Sequence, residues 1–142
     1  MTMTRFALAL PAALTLLAAL PATAAELTVT VQGVRDTEGN VRVALYDNSE
    51  SFRHEDKAVA IKTVPAANPA QVSFGELAPG RYAVIAYHDA NSNGKLDLFM
   101  GMFPAEGWGM TNDPAVFGPP KFDPAAVTVP EDGLAVTVPL HY

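Results

Sequence analysis

Nine residues carry the densest polar chemistry in the chain, Asp89-Ala-Asn-Ser-Asn-Gly-Lys-Leu-Asp97. Their oxygen-bearing side chains fall at positions 1, 3, 5 and 9, with glycine at position 6 to permit a sharp turn, and that is the spacing by which a loop wraps a calcium ion. The ligands would be Asp89, Asn91, Asn93, the backbone carbonyl of Lys95 at position 7, and Asp97, the last directly or through water. Position 12, where an EF-hand places a bidentate glutamate, is Met100. Two oxygens are therefore missing, and only two carboxylates offset the ion's charge. The expected affinity is the ~10⁻⁴ to 10⁻³ M of extracellular modules, with Glu106, Asp113 or Asp47 as residues that would complete the shell from elsewhere. The same sequence also suits a metal-free connection, in which the Asp and Asn side chains bond their own backbone as Asx-turns and Asn93-Gly94 supplies a positive φ.

Other chemistry is thinner. Met100, Met102 and Met110 lie near His88 in sequence, a thioether and imidazole set that suits Cu(I), although methionine more often fills irregular apolar gaps. Trp108 and Tyr87, with His88 beside the latter, are candidates for binding a sugar ring or a partner's apolar side chain, against the commoner fate of aromatics as core. His54-Glu55 has no second histidine to complete a zinc motif, and the chain has no Gly-x-Ser-x-Gly elbow. No enzymatic activity is expected.

The elements that must position these groups follow a leader. Arg5, the apolar run Phe6 to Leu20 and Ala22-Thr-Ala24 read as a secretory signal cleaved after Ala24, so residues 1–24 are a signal peptide and residues 25–142 one domain. Export to the periplasm or the extracellular space is the expectation. The apolar run is shorter than the ~20 residues a spanning helix needs, and no later run is longer, so no membrane span is expected. There is no cysteine, so stability must come from a core or a bound ion. Nine basic side chains against 15 acidic ones, a formal charge of −6, argue against nucleic acid or anionic lipid as partner. An unidentified small molecule or protein is left.

Alternation of apolar and polar residues dominates the rest. Leu27, Val29 and Val31 alternate with Thr28, Thr30 and Gln32, and Val41, Val43 and Leu45 repeat the pattern after the turn-forming Asp36 to Asn40. Together they read as a hairpin. Residues 57–64, 70–75, 81–88, 126–129 and 134–141 are further strands, and 81–88 is apolar on both faces, as a central strand requires. Seven short strands and no helical period predict an all-β fold, a single antiparallel seven-stranded β-sandwich. The segment 98–124 lacks periodicity but holds Phe99, Phe103, Trp108, Phe117 and Phe122. It reads as a long ordered loop that caps one end of the sandwich and buries its aromatics.

The run Leu77-Ala-Pro-Gly-Arg-Tyr-Ala-Val, then Tyr87-His-Asp and Asn-Gly-Lys-Leu-Asp97, then Glu106-Gly-Trp-Gly and Phe117-Gly-Pro-Pro, resembles the bacterial domain of unknown function 2141 across essentially the whole mature chain. That resemblance implies a small exported β-sandwich similar to transthyretin-like (prealbumin-like) and carboxypeptidase-regulatory-like domains, and it implies no activity. Hydroxyisourate hydrolases share such a sandwich but end in Tyr-Arg-Gly-Ser. This chain ends in Pro139-Leu-His-Tyr142.

Overall fold

The structure, a computed structural model, describes residues 24–142; the signal-peptide reading of the preceding residues lies outside them. The fold is all-β. Ten strands form: β1 (Ala25–Gln32), β2 (Asn40–Tyr46), β3 (Ala60–Pro65), β4 (Ala70–Leu77), β5 (Gly80–Asp89), β6 (Leu98–Phe99), β7 (Phe103–Pro104), β8 (Trp108–Met110), β9 (Val127–Val129) and β10 (Leu134–Pro139). A 3₁₀ turn at Glu55–Lys57 and one helical turn, α1 (Phe122–Ala125), complete it. Among the described residues no helix is long and apolar enough to cross a membrane.

Two sheets share one core. The first has the order β10-β1-β4, with β1 parallel to β10 and antiparallel to β4; the second has the order β3-β2-β5-β8 and is antiparallel, with β9 pairing the start of β5. The alternation read from sequence does the sorting. Leu27, Val29 and Val31 of β1 are fully buried and meet Val41, Val43 and Leu45 of β2, Val72 and Phe74 of β4, and Val84 and Ala86 of β5. Each such side chain contributes roughly 1.5–3 kcal/mol by leaving water, and in a chain with no cysteine this burial carries stability.

Strand β5 is central, as its two apolar faces require. Tyr82, Val84 and Ala86 enter the first core, while Ala83, with Ala44 and Tyr46 of β2, opens onto a second core on the outer face of that sheet. Phe52, Met110, Phe122 and Ala125 cover this outer face. Tyr46, Phe52 and Phe122 form an edge-to-face chain with centroids 5.4 and 5.9 Å apart, a geometry that suits ring quadrupoles.

Three expectations are corrected. First, β1 and β2 are not a hairpin: they lie in different sheets. The connection from Gly33 to Gly39 is long enough to cross the ~10 Å between sheets, and alternation tells which side chains face inward but not which strand is adjacent. Second, ten strands form among the described residues where seven were expected, and the β1–β10 pair is parallel. Third, segment 98–124 is not a cap over one end. Its later part, with Met110 and Phe122, covers the outer face of the second sheet, while Phe99, Phe103 and Phe117 are exposed.

Candidate functional site: the 89–97 loop and the hairpin beyond it

Strand β5 delivers Asp89 to the base of the loop, where it is 2 % exposed. Both of its carboxylate oxygens are engaged. The Asn93 N–H donates to Oδ1 (3.0 Å) and the Gly94 N–H to Oδ2 (2.8 Å), so the carboxylate folds the loop back over itself. Gly94 has φ +76°, the left-handed conformation that glycine adopts without strain. Asn91 Oδ1 accepts from the Asn93 N–H (3.2 Å) and Asn93 Oδ1 from the Lys95 N–H (3.1 Å), both Asx-turns.

The Asn amides then converge. Asn91 Nδ2 donates to Asp97 (2.6 Å), and Asn93 Nδ2 donates to both Asp97 oxygens (2.8 and 2.9 Å). The bonds from Asn93 first, then Asn91, lower the Asp97 pKa from its ordinary 3.8, because they favour the charged form. Glu106 locks the base from behind. It accepts from the Ala90 N–H (3.1 Å) and the Asp97 N–H (3.0 Å). Of the three residues that could complete a metal shell, Glu106 alone touches the loop, since Asp113 pairs with His141 and Asp47 with Asn48. The loop gathers Asp89, Asn91, Asn93 and Asp97; the Lys95 side chain stands exposed. Among the described residues no group of three His, Cys, Asp or Glu is placed to hold a metal ion. The Asp89, Asn91 and Asn93 oxygens each accept one bond and keep a second lone-pair direction, whereas Asp97 Oδ2 accepts from both Asn91 and Asn93 and keeps none free.

The chain next turns from polar to apolar. Leu98 pairs with Pro104 and Phe99 with Phe103 in a two-stranded ribbon, closed by a bond from the Met102 N–H to the Phe99 carbonyl (3.2 Å). Met100 (φ +53°) and Gly101 (φ +71°) are the central residues, the positive pair a type I′ hairpin demands. Both faces are open. Leu98, Phe99, Met100, Met102 and Phe103 are 47–76 % exposed. The sequence signal that goes unread is the symmetry of Phe-Met-Gly-Met-Phe about Gly101.

Tyr87, His88 and Trp108 do not form one ligand site. Successive strand residues point to opposite faces, and Tyr87 and His88 are both buried. His88 Nε2 donates to the Glu38 carbonyl (2.8 Å), and Nδ1 shares a hydrogen bond with the Tyr142 hydroxyl (2.9 Å). The Tyr87 hydroxyl donates to Glu55 (3.0 Å), whose carboxylate also receives the Arg42 guanidinium. Burial first, and then the Glu55 charge, push the Tyr87 pKa well up; the bond to Glu55 raises that of Arg42. Sequence reading missed this Arg42–Glu55–Tyr87 group, because its members are far apart in the chain and no motif links them.

Trp108, half-buried, lies against the second core and lines an open cleft of about 400 Å³ with Met110, Asp113, Val116 and His141. At the cleft His141 Nε2 is 2.7 Å from Asp113 Oδ1. The copper set does not assemble. Met110 is in the second core, Met100 and Met102 are exposed on the hairpin, and both His88 nitrogens are engaged.

A family model described as "Uncharacterized protein conserved in bacteria (DUF2141)" matches residues 29–137. The chain belongs to the DUF2141 family. No curated protein and no solved structure matches it. The DUF2141 match runs from β1 to β10 and so spans both sheets, the loop and the hairpin.

Proposed function

We propose that this protein is an exported, non-catalytic β-sandwich module of transthyretin-like or carboxypeptidase-regulatory-like type. It works by binding, and presents the Leu98–Pro104 hairpin from a base fixed by the 89–97 loop. One observation carries the reading: five large apolar side chains stand open on both faces of a ribbon whose foot is clamped by Asp97 and Glu106. Contiguous exposed apolar surface on a folded domain marks an interaction site. Two of the carboxylates are committed to structure, Glu55 to Arg42 and Tyr87, Asp89 to two amides. In extracts of its host, the wild-type protein should elute with a partner, and a Phe99→Ser/Phe103→Ser variant as the free domain. Identical elution, with no difference between the two proteins in binding to membranes, would remove the reading.

A second reading, a weak structural calcium site in the loop, is favoured by the convergence of Asn91 and Asn93 on Asp97. A half-turn of either amide presents its oxygen in place of its nitrogen at the cost of the Asx-turn that oxygen makes, and Glu106 is the further carboxylate that touches the loop. With ~1 mM calcium and ~0.1 mM affinity the native state gains roughly 1.4 kcal/mol. Titration calorimetry and thermal unfolding at millimolar calcium should show heat and a rise of about 4–8 °C, both lost in Asp97→Ala and kept in Lys95→Ala. No heat and no shift in the wild type would end the calcium reading and leave the hairpin reading intact.

A further inference from the structure

We infer that the partner of the Leu98–Pro104 hairpin is the surface of a zwitterionic phospholipid bilayer, into which the ribbon inserts as a wedge; this rests on the hairpin being the binding surface. The first consideration is shape. Leu98 and Phe99, and Phe103 and Pro104, are exposed on both faces of their strands, so an occupant must surround the ribbon rather than lie against one side. Lipid does so without a matching groove.

The second consideration is area. The exposed parts of the five apolar side chains come to on the order of 600 Å², divided between two faces. A second copy of the chain, which covers one face of each ribbon, would bury on the order of 600 Å² in total, well under the roughly 1,200 Å² of a specific interface. The same surface suffices for interfacial insertion. A ribbon of this length stands about 10 Å tall, which matches the 5–10 Å depth at which apolar faces settle among headgroups and upper acyl chains.

The third consideration is charge. From Leu98 to Ala105 there is no ionisable residue. At the foot of the ribbon the Asp97 and Glu106 carboxylates are engaged by amides, while the exposed Lys95 ammonium forms no salt bridge among the described residues. An exposed cation three residues before Leu98 is available to a lipid phosphate. The rest of the chain is acidic, which disfavours anionic membranes and selects zwitterionic ones.

Residues 24–142 enclose both cores and are the unit to test. They should float with phosphatidylcholine vesicles in a density gradient, and Phe99→Ser/Phe103→Ser should bind at least about tenfold more weakly with unchanged unfolding temperature. Phe99→Trp should add a component of blue-shifted emission on the vesicles that bromine-labelled lipid quenches. Replacing part of the phosphatidylcholine by phosphatidylglycerol should weaken binding at low salt. Failure of the wild type to float, or equal flotation of the double variant, overturns the lipid assignment. If the wild type instead self-associates in sedimentation and the double variant does not, the hairpin is a binding surface for a second copy, and only the lipid assignment falls. Absence of flotation together with identical elution of the two proteins in host extract removes both.

Discussion

The 89–97 loop and the 98–104 hairpin are neighbours in sequence and opposites in how they meet water. The loop is polar and its side chains satisfy one another, Asn91 and Asn93 while still exposed: Asp89 takes two backbone amides, and Asn91 and Asn93 close on Asp97. The hairpin is apolar, yet its side chains turn outward. Buried Asp89 and the open hairpin depart from the usual sorting of side chains by polarity. Together they show a division of labour, in which polar groups spend their hydrogen bonds on rigidity at the foot and apolar groups remain available at the tip.

Breaking the foot should have the largest effect. Asp89→Ala leaves the Asn93 and Gly94 amides without their buried acceptor, and should lower stability by about 2–3 kcal/mol in denaturant unfolding. A change under about 0.5 kcal/mol would mean that the foot is not what holds the loop.

At the tip the sign should reverse. Met100 is 76 % exposed and holds φ +53°, where a non-glycine residue other than Asn or Asp is strained. Met100→Asn creates the preferred Asn-Gly pair of a type I′ turn and should stabilise by roughly 0.5–1 kcal/mol. If it destabilises instead, the exposed methionine has a structural role and the contrast between foot and tip is weaker than drawn.

The smallest effect is a proton. The folded-state pKa of Asp97 lies below its ordinary 3.8, so the carboxylate's contribution is present above that value and lost as pH falls through the lowered one. The Asn91 and Asn93 side-chain amide resonances should therefore keep their shifts at pH 5 and move only below about pH 4. Movement at pH 5 to 6 would place the transition on another group.

Much of this contrast could be read from the chain, and some could not. The Asp-x-Asn-x-Asn-Gly spacing identifies the loop because short polar side chains bond locally, within a few residues. The central position of β5 is legible because both of its faces are apolar. Strand neighbours are not: β1 alternates as a hairpin partner of β2 would, yet pairs with β4 and β10, since pairing depends on distant segments. The hairpin was missed for a different reason. Phe99 and Phe103 resemble Phe122 in type, and only tertiary context buries Phe122 against Phe52 and leaves the other two in water. Glu106 is legible as a spare carboxylate but not as a clamp, because its partners are backbone amides, which every residue but proline possesses.

Strand β1 lies between β4 and β10, so one of its partners stands at Leu134–Pro139, far along the chain, just before His141 bridges to Trp108. The first strand of the sheet thus waits for the final one, and contacts of such wide sequence separation slow folding. Until β10 docks, β1 presents one unpaired edge, a row of open amides and carbonyls ready to pair with another chain.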